Sequence, residues 1–193
     1  MDRQKLIDMG CPVRKYAKDA IIYEPGTQPK NVFFVKTGEV RMVTVNEDGK
    51  EFIQGIFQSG QYFGEPALLV DKPYLAFTIV SKASEIIIVS KENFFNLIKT
   101  DADYSMSLIK VLSNRLFYKS MMLEELANEK AEHRLLTMIN YLFSNADKSQ
   151  SLGVTRQDLA DLTGLRVETV IREVKSLAAR NFIIIKKGKI YKA

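Results

Sequence analysis

Glu168, Thr169, Arg172 and Lys175 are polar residues set among apolar ones in the stretch VETVIREVKSLAA. Residues 168, 172 and 175 stand at i, i+4 and i+7, which puts them on one edge of a helix. The chemistry open to such an edge is hydrogen-bond readout of base pairs. A guanidinium fork matches O6 and N7 of guanine, and a carboxylate accepts from the cytosine amino group, each good contact discriminating by about 1–3 kcal/mol. A Glu–Arg surface ion pair at i,i+4 would explain two of these residues but not the segment around them.

That segment carries the elements needed to position the edge. Thr155 is placed to cap a helix, with Asp158 three residues on as a shortened capping-box acid. Ala160 is small where two helices must cross closely. Gly164 follows where the turn requires positive φ, and Val170 points back to lock the second helix onto the first. Leu159, Leu162, Leu165, Val170, Val174 and Leu177 supply a shared core. This spacing predicts a helix-turn-helix. Beyond it, Ile183-Ile184-Ile185 and Ile190-Tyr191 flank Lys186-Lys187-Gly188-Lys189, which predicts a two-stranded wing whose lysines 186, 187 and 189 rest on phosphates.

Charge supports a polyanion partner. Residues 151–193 hold nine Lys/Arg against four Asp/Glu, so the whole net charge of +5 lies there and the first 150 residues balance. A basic module on a neutral body is the electrostatic footprint of a nucleic-acid binder.

Other chemistries find little support. Cys11 is alone, which leaves no disulfide framework and no cysteine set for a cluster. His133 is the single histidine and lies in a polar stretch, so it is expected on a solvated face. No metal site and no nucleophile–base pair can be assembled, and no enzyme activity is expected. The N-terminus lacks the apolar run of a signal peptide, and no stretch is long and apolar enough to span a bilayer. A cytoplasmic protein with no membrane partner is expected.

Upstream, short apolar strands alternate with turn signals from about residue 15 to 90. Glu24-Pro25-Gly26 is a turn and Asp48-Gly49 a hairpin signal. Val32–Lys36 and Glu39–Val45 are expected as separate strands about Gly38, and Ala76–Ser81 and Glu85–Val89 as two more. Many short strands without a long intervening helix predict an antiparallel barrel or roll. Ser90 is then placed to cap a helix over 91–99, and a longer helix follows from about 103 to 127. On it Ile109, Leu112, Leu116, Leu123 and Leu126 fall at a and d of a heptad, with Lys119 at the remaining d, which suggests a seam for pairing with a second copy. The alternative is one amphipathic helix packed on its own domain. A second stripe, Leu108, Val111, Tyr118 and Met122, is expected against the barrel. A further helix, about 129–144, should bury Leu135, Leu136, Ile139 and Leu142, before the polar connector 144–149.

Together, TRQDLADLTGLRVETVIREVKSLAARNFI resembles the DNA-binding domain of the CRP/FNR regulators of bacteria. YEPGTQPKNVFFVKTGEVRM and GQYFGEPALL resemble that family's cyclic-nucleotide-type roll. The resemblance implies an α+β chain with an N-terminal antiparallel β-roll (double-stranded β-helix or jelly-roll type), a long dimerisation helix and a C-terminal winged helix-turn-helix. It implies a sensing domain at 1–127 and a DNA-binding domain at 128–193. Glu168 and Arg172 fall on the family's base-reading acid and arginine, and Arg156 and Gln157 on its backbone-contacting pair. Val167 matches the FNR-like branch. Arg166 replaces a Ser/Thr cap, which should cost the helix about 1 kcal/mol but places a cation within reach of a phosphate.

The implied function is a homodimeric transcription regulator bound to a pseudo-palindromic operator, with RNA polymerase as a partner and a small effector in the roll. The effector region comprises Gly64, Glu65, Pro66, Ala67, Leu68, Tyr74 and Ala76, with Lys119 and Ser120 on the long helix. A cyclic nucleotide needs backbone N–H groups, a carboxylate for its ribose and a cation for its phosphate. Gly64–Leu69 offers the first two, but the family's phosphate-binding arginine falls on Tyr74, or on Leu75 if the loop is one residue longer. Lys119 and Ser120 replace the pair that meets the purine. Cyclic AMP is disfavoured, and the effector is not readable. The alternative is a ligand-binding regulatory module whose degenerate helix-turn-helix makes protein contacts.

Overall fold

The computed structural model describes residues 3–127, 130–144 and 151–193. The chain divides into two compact units, Met1–Val111 and Leu112–Ala193.

The first unit opens with helix α1 (Arg3–Asp8) and is built on strands β1 (Val13–Tyr16), β2 (Ile21–Tyr23), β3 (Asn31–Val45), β4 (Glu51–Gln58), β5 (Tyr62–Phe63) and β6 (Phe77–Ser90). They form an antiparallel sheet in the order β1-β6-β3-β4, with β2 on β6 and β5 on β3. A short helix α2 (Glu65–Leu69) precedes β6.

Two breaks expected from the sequence are absent. β3 runs on through Gly38, and β6 through the residues between Ser81 and Glu85. The glycine marks a bulge inside paired strands. Its φ is +94°, the β3–β6 register shifts around it, and a Cβ there would lie 2.1 Å from Ser84 Oγ and 2.5 Å from the Ala83 carbonyl. Glu39, next to it, is 4% exposed. Its carboxylate accepts from Lys82 Nζ at 2.7 Å, Ser81 Oγ at 2.9 Å and Gln58 Nε2 at 3.0 Å. Burial alone would raise this carboxyl, but the hydrogen bonds from Lys82, Gln58 and Ser81 outweigh it and hold it below its ordinary value. The Asp48-Gly49 signal does join β3 to β4, closed by Asn46 N donating to the Lys50 carbonyl.

Ser90 caps helix α3 (Lys91–Thr100), its Oγ accepting from Asn93 N at 3.2 Å. The long helix α4 (Ala102–Ala127) follows, with Tyr104 and Leu108 buried. Beyond them one side stays bare: Ile109, Leu116, Leu123 and Leu126 are exposed, Leu112 is half-buried, and Met106, Phe117 and Met121 extend the apolar surface. The stripe expected against the roll divides. Leu108 is buried in the first unit, whereas Tyr118 stacks on Tyr141 of helix α5 (Ala131–Ser144), centroids 3.5 Å apart. Thr137 Oγ1 donates to Glu125 across the same pair of helices. This packing is why the units divide within α4.

The second unit adds α6 (Arg156–Thr163), α7 (Val167–Ala179) and the hairpin β7 (Ile183–Lys186) and β8 (Lys189–Lys192). Leu135 and Ile139 are buried on α5 as expected, while Leu136 and Leu142 are only half-buried. Met138 and Phe143 fill the core instead, because α5 packs against α6 and α7 as well as α4 and so buries a wider arc. Of the connector expected at 144–149, Ser144 closes α5 and residues 145–149 lie outside the described residues.

Candidate nucleic-acid interface

The helix-turn-helix is built from its caps inward. Thr155 Oγ1 accepts from Asp158 N at 3.0 Å and Thr155 N donates to Asp158 Oδ2 at 2.7 Å, a reciprocal box that starts α6. Gly164, with φ 69°, ends it in the left-handed region. Ala160 is 1% exposed at the crossing, and Leu159, Val170, Val174 and Leu177 are buried around it, with Leu165 half-buried.

With Val170, Val174 and Leu177 turned into this core, the helical period sends Glu168, Arg172 and Lys175 to the opposite side. All three are exposed and Thr169, on the flank, is half-buried. The Arg172 side chain is 71% exposed. Its partner is not Glu168. Nε of Arg172 donates to Oε1 of Glu173 at 3.0 Å, and Nη2 is ion-paired with the same oxygen at 3.0 Å. Sequence spacing gave no sign of this contact, since neighbours at i,i+1 do not face each other on a helix. The long arginine folds back along the rod to make it.

Arg166 occupies the N-cap of α7 and makes no side-chain capping bond there. Gln157 Nε2 donates to Asp161 Oδ1 at 2.8 Å. Arg156 is half-buried, and its Nη2 lies 3.4 Å from the Gly188 carbonyl at the wing tip. Burial lowers its guanidinium from the usual value, yet it remains a cation at neutral pH. The expected phosphate-contacting arginine is therefore also a strut under the wing.

The wing pairs Ile185 with Ile190 and Lys186 with Lys189. Lys187 (φ 48°) and Gly188 (φ 76°) form its two-residue tip, both in the left-handed region that a type I′ turn demands. Lys186, Lys187 and Lys189 are exposed, and Lys186 Nζ sits 6.0 Å from the Tyr191 ring centroid.

The effector region has a different character. Gly64 (φ 89°) precedes α2, Pro66 lies in the first turn, Glu65 is 0% exposed, Leu68 and Ala76 are buried and Ala67 packs on the roll's core. Tyr74 is buried too. Its ring stacks on Tyr23 at 3.6 Å, its hydroxyl donates to the Asn31 carbonyl at 3.2 Å, and backbone bonds tie it to Gly26 and Thr27. Burial, and then the nearby Glu65 carboxylate, push its phenol up to about 12. A neutral phenol locked into an aromatic core supplies no counter-charge. The residues here do not fit a cyclic nucleotide whose phosphate is neutralised at position 74. Leu75, the other candidate position, points to solvent at 82% exposure. Lys119 and Ser120 are exposed on the second unit's part of α4, and Ser120 Oγ donates to the Leu116 carbonyl of its own helix.

This order of elements matches known proteins. The cyclic nucleotide-binding domain family matches residues 13–101 and the Crp-like helix-turn-helix domain family matches residues 132–191. Between them they take in most of the chain, which belongs to the CRP/FNR family of DNA-binding transcription regulators. It is similar to the cAMP-activated global transcriptional regulator CRP of Pasteurella multocida (strain Pm70), 28% identical over 180 residues that cover 90% of this chain and 86% of that protein. The regulator of the same name from Escherichia coli O6:H1 is 25% identical over 179 residues, 90% of this chain and 85% of the relative. These relatives are transcription regulators, not enzymes.

Solved structures agree in fold. A CooA mutant from Carboxydothermus hydrogenoformans aligns with a TM-score of 0.79 at 21% identity, over 100% of this chain and 88% of that one. The c-di-GMP responsive global regulator CLP of Xanthomonas campestris aligns at 0.74 and 24% identity, over 98% and 97% of the two chains. Among the described residues, no helix is long and apolar enough to cross a membrane.

Proposed function

We propose that this regulator is a cytoplasmic homodimer that reads a pseudo-palindromic operator whose half-sites share a GA step, their centres about one helical turn apart. Residues 1–127 form the sensing and dimerising part and residues 128–193 the DNA-binding part. The observation that carries this reading is the exposed Glu168–Arg172–Lys175 edge, standing opposite a buried Val170, Val174 and Leu177. Arg172 reads guanine, Glu168 accepts from the cytosine amino group, and Thr169 and Lys175 flank them. Arg156, Gln157, Arg166, Lys186, Lys187 and Lys189 take phosphates and fix the register. RNA polymerase is a partner at the promoter, and no catalytic role is assigned.

The apolar side of α4, with Ile109, Leu112, Leu116, Leu123 and Leu126, pairs with its copy and sets the spacing of the two reading helices. An effector in the roll acts by favouring one arrangement of the dimer over another. That effector is not cyclic AMP held by an arginine fork, since Tyr74 stands there. Gly64, Glu65, Pro66, Ala67, Leu68 and Ala76 are the residues of the roll assigned to its site.

Selection of bound fragments from genomic DNA, at two salt concentrations, tests the reading. A two-fold symmetric motif is expected. Arg172→Ala should erase preference at one base pair per half-site, by about 1–3 kcal/mol. A single asymmetric motif, or unchanged preference in Arg172→Ala, refutes it.

A further inference from the structure

Glu173 has no place in the reading edge. It lies about a hundred degrees round the helix from Arg172, on the flank nearer the core, and its side chain is only 15% exposed. One of its oxygens accepts a hydrogen bond from Nε of Arg172 at 3.0 Å and is ion-paired with Nη2 at 3.0 Å.

The geometry matters for what remains. A guanidinium carries five N–H groups in a rigid fork. Glu173 lies along the lateral edge, hydrogen-bonded to Nε and ion-paired with Nη2. The outward-facing hydrogens of Nη1 and Nη2 stay available at the end of the side chain. That end still offers two parallel donors to O6 and N7 of a guanine. The ion pair is thus compatible with base reading, and it fixes the torsions that would otherwise have to be frozen when DNA binds. An arginine side chain gives up substantial rotamer freedom on immobilisation, and a partner that immobilises it beforehand removes that cost from binding.

We infer that Glu173 is a positioning residue for specificity: it holds the Arg172 guanidinium end-on for guanine while adding a negative charge that opposes sequence-independent attraction to phosphates. It touches no base itself. The two effects act in opposite senses on two measurable affinities. Removing the carboxylate lowers discrimination and strengthens non-specific binding, a combination that a damaged helix would not produce.

This inference rests on Arg172 reading a guanine, and the test separates the two. The full-length protein, Glu173→Ala, Glu173→Gln, Arg172→Ala and the double variant are compared on the selected operator, on the same operator with the guanine replaced in both half-sites, and on random-sequence duplex. Glu173→Ala should lose about three- to tenfold in discrimination per half-site, and bind random duplex more tightly. Glu173→Gln keeps an acceptor oxygen and should fall between. In the Arg172→Ala background, deleting Glu173 should cost no further discrimination.

Undiminished discrimination in Glu173→Ala, alongside its loss in Arg172→Ala, overturns the role of Glu173 alone. Equal weakening on all three duplexes, or an additive loss in the double variant, does the same by showing a general defect. Undiminished discrimination in Arg172→Ala overturns both the inference and the base-reading role beneath it.

Discussion

The roll and the recognition unit differ in where their most consequential polar side chains stand. In the roll they are turned inward. Glu39 is buried among three donors, Tyr74 is stacked and hydrogen-bonded inside, and Glu65 is fully enclosed. The recognition unit buries Asp158, Asp161 and Thr163 near its helix-turn-helix, but Glu168, Arg172, Lys175 and the wing lysines stand in solvent. The buried polar groups of the roll therefore support the fold, whereas the exposed reading-edge and wing residues of the second region add little to it. Stability and function should respond in opposite senses to substitution in the two places.

The strongest attack on this contrast is Gly38→Val. The side chain would meet the Ala83 carbonyl and Ser84 backbone at a positive φ, so the roll should lose about 2–6 kcal/mol, read as a lowered urea midpoint by circular dichroism. A near-normal midpoint would show that the bulge is not tightly packed.

Glu39→Gln comes next, with an expected cost of about 2 kcal/mol at neutral pH from weakened charge-assisted hydrogen bonds. The folded carboxyl lies below its ordinary value. Its contribution is thus complete above the unfolded-state value and is lost as pH falls through the folded one. Unfolding across pH 6 to 3 should show wild type losing stability with acid, and Glu39→Gln losing less.

In the recognition unit the sign reverses. Arg166→Ser supplies the missing cap, so this unit should gain about 1 kcal/mol, while affinity for any duplex drops with the loss of a phosphate contact. Calorimetric scanning and fluorescence anisotropy on the same samples check both halves of that statement. If stability and binding rise together, Arg166 is no phosphate ligand.

The smallest effect belongs to Lys187→Gly. Relief of a non-glycine residue at φ 48° should stabilise the wing by roughly 0.5–1 kcal/mol. The slope of log affinity against log salt should fall by about one per protomer. An unaltered slope would place Lys187 away from the backbone.

How much of this was legible in the sequence followed the same divide. The helix-turn-helix could be read because its signals are local: Thr155 with Asp158, Ala160, Gly164 and Val170 act within one or two turns of each other. The long strands could not, because Gly38 looks like a turn until its partner on β6 is known, and the Glu39 network joins residues some forty positions apart. The Tyr118–Tyr141 stack was hidden for a related reason. Periodicity marks which face of α4 is buried but not which element covers it. The Arg172–Glu173 pair escaped because helix geometry argues against adjacent contacts, and only side-chain length permits it.

The uncovered side of α4 has a consequence for how this regulator responds to its own abundance. In the proposed dimer two protomers must join before both half-sites are engaged, so at concentrations below the dimer's dissociation constant, operator occupancy rises with the square of protomer number. A twofold change in synthesis would then move occupancy about fourfold at the low end. The bare leucines of one helix would make the cell's count of this protein a signal in its own right.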